Sequence, residues 1–361
     1  MVDIDADGAE VRDGLRYPWP QPPASGEVCE VAPGVFWLRM PLPFRLDHIN
    51  LYLLQHKQGW VVVDTGMNTA QTFEVWKRVL AEVCHGQPVL AVICTHFHSD
   101  HAGVAAWLTE RFHCPLYMTV GEFHSLHVQV PDDQPPAWAF VDFYRKAGFS
   151  DEQAGEFFAA IQNKHFHPLP CTGFRRLRQD SQLHIGGRCW RVHIGSGHSP
   201  EHACLYAAED GLLISGDQVL PRITSTVGVQ ATEPEADPLR DWLDSVERLR
   251  ALPDDVLVLP AHERPFFNLH QRLDQLQAHH QGHLTRMLDS CSQPRSALEL
   301  MAVLFPRLSG RFDELMALGE TLAHANYLMA EGALVREEHG GLLRYRQAPA
   351  GALAPDPQRV F

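Results

Sequence analysis

No stretch of this chain approaches the ~20 apolar residues that a membrane-spanning helix requires, so a spanning protein is not expected. The start, Met1-Val2-Asp3-Ile4-Asp5-Ala6-Asp7, lacks the basic segment and apolar run of a secretory signal, which makes the cytoplasm the expected compartment. No pair among the eight cysteines (29, 84, 94, 114, 171, 189, 204 and 291) is spaced Cys-x-x-Cys, and several sit in apolar, strand-like runs. Scattered thiols of this kind speak for a reducing compartment and against a disulfide scaffold. Basic residues are also short: 30 Lys plus Arg stand against 44 Asp plus Glu, a formal net charge of -14. Such a surface repels phosphate backbones and puts nonspecific nucleic-acid binding at a disadvantage. What is abundant is histidine, with 22 copies, far more than one metal centre can use, so only position can separate ligands from bystanders.

The 361 residues, 45% of them hydrophobic, suffice for one large domain and a smaller one. Residues 1–27, rich in Pro, Gly and charge, read as an extended N-terminal arm or a disordered start. From Gly34 the text alternates strand-like and helix-like runs. Ile49–Leu54 and Trp60–Asp64 form an expected hairpin, a helix spans about Thr69–Val83, a strand Val89–Cys94, and a helix about Gly103–Arg111. This rhythm indicates an α/β (α+β) layered domain over residues 28–268. It breaks at about 120–180, where Ala137–Ala147 and a run from Ser150 to about Lys164 read as helices carrying many aromatics, either covering a pocket or adding a helical layer. Residues 269–346 read as a long helix, Leu269 to Leu288, then helices Ala297–Phe305 and Gly319–Ala330 and a two-strand turn, the outline of a winged helix; 347–361 form a tail.

The sharpest local signal is Thr95-His96-Phe97-His98-Ser99-Asp100-His101, directly after an apolar strand. His96 and His98 are two apart and project from one side of an extended strand end. Asp100 and His101 follow where the chain turns into a helix. Three further fragments repeat one format, a strand, a small residue, then a ligand-type side chain: Ser196-Gly197-His198, Ser215-Gly216-Asp217 and Pro260-Ala261-His262. Imidazole nitrogen with carboxylate oxygen suits zinc, iron or manganese. Ligands at the ends of neighbouring strands would converge on one edge of a sandwich.

The motif Thr-His-x-His-x-Asp-His, followed in order by Gly197-His198, Ser215-Gly216-Asp217 and Pro260-Ala261-His262, resembles the metallo-β-lactamase fold superfamily, and most of all the hydrolase branch with glyoxalase II and the lactonases. The resemblance runs from about Val28 to Phe267 and implies an αββα sandwich. It implies that His96, His98 and His198 hold one metal ion, that Asp100, His101 and His262 hold a second, and that Asp217 bridges them. Asp64, in Val63-Asp64-Thr65-Gly66, matches the family's orienting strand-end aspartate. The tail further resembles the lactamase-β-like 2 group, except that the long helix carries His279-His280 and His283 where that group has a His-Arg signature.

Two divalent ions, zinc expected with iron or manganese as alternatives, would hold a shared water near its hydroxide form at neutral pH for attack on a carbonyl. Asp100 and Asp217 are the expected catalytic carboxylates, with a protonated Asp100 as one candidate acid. The expected substrate is a small acyl compound: a thioester, lactone or ester. A mononuclear iron oxygenase and a nuclease or nucleic-acid-binding protein are the alternatives. A member that kept the fold and lost turnover is a third, and the seven intact ligand positions favour catalysis over it. Residues 275–361 hold 8 Arg and no Lys against 9 Asp plus Glu, and Gly319–Ala330 has neither Arg nor Lys, so the tail reads as packing or homodimerisation and not as a nucleic-acid reader. His202 reads as a pocket residue or as the start of the next strand; His124, His127, His165 and His167 read as surface histidines.

Overall fold

The computed structural model describes residues 3–6, 8–128, 135–161 and 173–349. These divide into two compact units: one from the described parts of Met1–Gln129, Asn163–Ser225 and Ser245–Leu273, the other from those of Val130–Gln162, Thr226–Asp244 and Asp274–Phe361.

Two large sheets make up most of the first unit. The larger has seven strands in the order Arg175–Arg176, Leu116–Met118, Val89–Ile93, Gly59–Val63, His48–His56, Val35–Pro41 and Val28–Ala32. The smaller has five: Gln182–Ile185, Arg188–Gly195, His202–Ala207, Leu212–Gly216 and Leu257–Pro260. Gly59–Val63 and Val89–Ile93 run parallel, as do Leu212–Gly216 and Leu257–Pro260. Parallel strands need a crossover between them, which helix Ala70–Glu82 supplies for the first pair.

Side-chain alternation explains the layering. In strand His48–His56, Leu51 and Leu53 pack with Trp76 and Leu80 of helix Ala70–Glu82, while Tyr52 and Leu54 face the other way, against Trp190, Leu205 and Leu259 of the second sheet. A strand buried on both faces reads as a near-continuous apolar run, and Ile49–Leu54 does so with Asn50 as its one polar residue. The result is an αββα sandwich with its core between the sheets and a second core under the helices.

The N-terminal residues depart from the expected arm. Asp3–Ile4, Glu10–Arg12 and Leu15–Tyr17 form a three-stranded antiparallel sheet. Leu15 and Tyr17 are fully buried, Arg16 pairs with Phe267, and Arg264 lies 4.4 Å from the Tyr17 ring centroid while its Nη1 donates to Glu10 Oε2 at 2.7 Å. Proline and glycine punctuation read as disorder, but two apolar anchors and a part-buried ion pair order the segment.

The second unit holds helices Trp138–Ala147, Asp151–Ile161, Ala297–Leu304 and Arg311–Ala330, and a small antiparallel sheet of Arg295–Ser296, Leu342–Gln347 and Leu334–His339. The aromatics of its first two helices largely meet one another: Tyr144 and Phe149 each lie 5.0 Å from Phe157, and Phe140 lies 5.2 Å from Phe158. They act as the core of a helical pair. The expected continuation to Lys164, with Phe166, His165 and His167, lies outside the described residues. Helix Arg311–Ala330 begins well before the expected Gly319. Gly319 reads as a helix start but sits mid-helix because a Cβ there would meet the Val229 carbonyl oxygen at 3.1 Å; close backbone approach requires it.

Candidate metal centre

Four strand ends deliver the expected ligands to one place. His96 and His98 follow strand Val89–Ile93, and helix Ser99–Ala102 carries Asp100 and His101. His198 follows Arg188–Gly195, Asp217 follows Leu212–Gly216, and His262 follows Leu257–Pro260. The donor atoms of His96, His98, His198 and Asp217 lie within 4.8 Å of one another, and so do those of Asp100, His101 and His262. Asp217 touches both sets. Its Oδ2 is 3.4 Å from His198 Nε2 and 3.5 Å from His101 Nε2, and its Oδ1 is 3.4 Å from His262 Nε2. Asp100 Oδ2 stands 3.6 Å from His101 Nε2 and 3.5 Å from His262 Nε2.

Backbone geometry makes the aim possible. Gly216 has φ +52°, and a Cβ there would meet the His202 ring at 2.5 Å. Asp64 adopts φ 60° without being glycine, a conformation held only where surroundings enforce it. Its carboxylate accepts from the Thr95 amide at 2.8 Å and the Thr95 hydroxyl at 2.9 Å, and contacts His101 Nδ1 at 2.8 Å. Nδ1–H of His101 therefore points at Asp64, and Nε2 turns inward with its lone pair. The His48 carbonyl does the same for His262, at 2.8 Å from its Nδ1. Asn50 Nδ2 donates to the carbonyls of Pro260 and Glu263, each at 2.9 Å, and fixes the loop that carries His262.

The donors fit divalent cations. His101 Nε2 and Asp217 Oδ1 are buried without a hydrogen-bond partner, an expensive state for atoms aimed at nothing. Ring nitrogens also crowd one point: His96 Nε2 lies 2.8 Å from His98 Nδ1 and 3.2 Å from His198 Nε2. Burial, then the neighbouring imidazoles, hold His96 well below its ordinary pKa, and burial with His198 takes His98 down to about 3. Both are kept neutral, as a ligand must be. Burial works against charge on His262 as well, but Asp217 and Asp100 outweigh it and lift that imidazole to about 10. Burial would raise Asp100, yet His101 and His262 bring it down to about 2. His101 and His262 thus favour Asp100 as the carboxylate, the form in which it would ligate a metal ion.

Three supporting residues escaped the sequence reading or were left open there. His202 begins strand His202–Ala207 and also serves the site: its Nε2 accepts the Asp217 amide at 3.1 Å, and its ring lies 4.9 Å from that of His96. Glu122 is fully buried and accepts from the Phe97 amide at 3.0 Å, the Ser199 hydroxyl at 2.7 Å and the Glu201 amide at 2.7 Å. It ties the His96–His98 loop to the His198 loop. His48 contributes the carbonyl above, and its Nε2 accepts the Glu263 amide at 3.0 Å. Only the His202 spacing beside Gly197-His198 offered a sequence signal; Glu122 lies in a helix with no motif. His127 Nδ1 contacts its own helix at the Phe123 carbonyl, 2.7 Å, consistent with a bystander.

A His/Asp metal-binding cluster set on strand ends of an αββα sandwich is a metallo-hydrolase architecture. The chain belongs to the metallo-beta-lactamase superfamily, whose family model matches residues 45–262. A second model, the metallo-beta-lactamase-like C-terminal domain, matches residues 284–348. The chain is 24% identical to a probable metallo-hydrolase, YqjP, of Bacillus subtilis over 86% of its length and 97% of that protein. Among solved structures it resembles a beta-lactamase domain protein from Burkholderia ambifaria (39% identity, TM-score 0.85, covering 92% of this chain and 98% of that one). It also resembles a metallo-beta-lactamase family protein from Thermus thermophilus (31% identity, TM-score 0.72, 88% and 100%).

Proposed function

We propose that this protein is a hydrolase using two divalent metal ions, zinc by preference and iron or manganese as alternatives, on a small acyl substrate: a thioester, lactone or ester. The observation that carries the reading is Asp217, whose two carboxylate oxygens each stand 3.4 Å from a ligand-type imidazole of a different donor set. His96, His98 and His198 would hold one ion and Asp100, His101 and His262 the other. Bound there, such ions supply Lewis acidity and lower the pKa of water toward neutrality.

The chain's own residues do the rest. Asp64 and the His48 carbonyl fix the tautomers and orientations of His101 and His262. Asp100, entering as a carboxylate, takes the proton of the attacking water at Oδ2 and returns it to the leaving group. Nearby side-chain nucleophiles are occupied: Ser199 donates to Glu122, and burial pushes the Cys204 thiol up to about 12. Water is thus the attacking group. Charge speaks against a nucleic-acid substrate, because a chain of net charge -14 repels phosphate backbones, and Arg264 and Arg222 are paired with Glu10 and Glu263.

Nucleic acid is not among the proposed partners. Helix Arg311–Ala330 is buried through most of its length from Leu315 to Leu328, and Arg311 at its start pairs with Glu156 and Glu314. A groove-reading helix needs an exposed basic face.

Thiol release from acyl-glutathione and acyl-coenzyme A thioesters, with zinc- or manganese-loaded protein and a His98→Ala control, tests the reading. Turnover that vanishes in the control supports it. Two bound ions without thioester turnover move the substrate to lactones or esters. A single bound iron without hydrolysis replaces the hydrolase by a mononuclear oxygenase.

A further inference from the structure

The second unit carries a cluster of ligand-type side chains that the proposed hydrolysis does not use. His279 and His283 are four apart on helix Leu269–Ser290, and Glu320 and His324 are four apart on helix Arg311–Ala330. Residues at that spacing share one helix face, one turn apart. The two faces meet: His283 Nδ1 lies 3.9 Å from Glu320 Oε1, and the His283 and His324 ring centroids are 5.2 Å apart.

The hydrogen bonds of the cluster leave a definite remainder. His324 Nδ1 is 2.7 Å from the Glu320 carbonyl oxygen, so it carries the proton and leaves Nε2 with a lone pair. That lone pair meets His280 Nδ1 at 3.1 Å, which makes His280 the donor. His283 Nδ1 and Glu320 Oε1, like His280 Nε2, are left buried without a hydrogen-bond partner. Glu320 is only 8% exposed, and burial lifts its carboxyl to about 8. A buried acid and a buried imidazole that face each other without bonding are costly unless something lies between them. The donor atoms of His279, His283 and Glu320 all lie within 4.8 Å of one another. Tetrahedral zinc bonds of about 2.0–2.2 Å would set such atoms about 3.3 Å apart, so the 3.9 Å pair needs only a small tightening. His279 is exposed, which gives an ion a route from solvent.

We propose that His279, His283 and Glu320 form a separate binding site for one divalent transition-metal ion of the zinc class, with water in the fourth position. Bound there, the ion joins helix Leu269–Ser290 to helix Arg311–Ala330. The His280–His324 pair packs against Trp242, whose ring lies 4.8 Å from that of His280, and walls the site from inside. Three protein ligands and one exposed position make this a labile site, filled and emptied with the free metal concentration.

The test is metal counting on the full chain, stripped with chelator and reloaded with zinc or cobalt(II), with the cobalt absorption bands as a second readout. An Asp217→Ala, His198→Ala background removes most binding at the main centre. The expected result is one metal equivalent retained in that background and lost when His279→Ala is added. In the otherwise unchanged protein, His279→Ala should lower the count by one at limiting metal and weaken the site by at least about 100-fold, more than the 10–100-fold typical of losing a mere orienting partner. Equal counts and equal cobalt spectra with and without His279→Ala would overturn the proposal. Glu320→Gln should likewise abolish the equivalent; should that variant fail to fold, the exposed His279 decides alone. Failure of the dinuclear reading would show separately, as fewer than two equivalents assigned to the main centre.

Discussion

Replacing Glu122 with alanine separates the ligands from the frame that holds them. Glu122 touches no expected ligand side chain, yet its carboxylate accepts the Phe97 amide, the Ser199 hydroxyl and the Glu201 amide. Ser199 can turn its hydroxyl elsewhere, but the two amides would be left buried and unpaired, at about 1–3 kcal/mol each. Relief of the buried carboxylate's own desolvation, which raises its pKa, offsets part of this loss. A net destabilisation of about 3 kcal/mol follows, and in a domain of ~200 residues it lowers Tm by roughly 6–12 °C. Because Phe97 lies between His96 and His98, and Ser199 follows His198, zinc affinity should fall about 10–100-fold, as for other losses of ligand support. Thermal unfolding of the metal-free protein and competition with a chromophoric chelator measure the two effects. Glu122→Gln should fall between, since it keeps one oxygen acceptor but sets an amide donor against a backbone N–H. A Glu122→Ala protein that melts within ~2 °C of the parent and binds zinc equally well would refute the reasoning, since both effects derive from the same buried bonds.

Asp217→Ala should lose at least one metal ion and nearly all hydrolysis; elemental analysis that still finds two ions per chain would remove Asp217 from its bridging place. Asp64→Asn should keep the fold but lower zinc affinity about 10-fold or more, because an amide cannot orient His101 as the carboxylate does; an unchanged binding isotherm would count against it. Gly216→Ala should destabilise by about 1–3 kcal/mol in urea unfolding, because its left-handed backbone and the His202 ring both resist a Cβ. In the metal-free protein, burial holds His280, His283 and His324 at about 2, 3 and 4, so the unfolded chain binds more protons and stability falls as pH drops below about 6.5. Glu320, lifted to about 8, acts oppositely: its contribution is present at low pH and is lost as pH rises toward 8. With His279 and Arg286 as the other charges facing the cluster, its stability contribution should peak near pH 6.5, and urea midpoints that rise steadily from pH 6.5 to 8 would contradict this.

The expected ligands could be read from the sequence because a strand end is a local object. An apolar run followed by a small residue and a His or Asp needs no partner to be recognised, and three such strand ends together with the 95–101 motif were enough to expect a metal centre. The αββα sandwich was implied by the resemblance of the motif set, while the layered α/β character was legible in the alternation of strand-like and helix-like runs. The N-terminal sheet was not, since its order comes from Leu15 and Tyr17 meeting partners as distant as Arg264 and Phe267. Helix Arg311–Ala330 was shortened by a glycine whose reason for being there lies on another segment, at Val229.

What the sequence determined by itself was the identity and order of the expected ligand side chains, because ligand chemistry and strand-end spacing are encoded within a few residues. What only the tertiary structure decided was their support: Glu122 between two loops, the His48 carbonyl behind His262, and the meeting of His283 with Glu320. The reason is physical. A hydrogen bond or a shared ion joins groups that are neighbours in space, and Glu122 and Ser199, or His283 and Glu320, become neighbours only when separate segments pack.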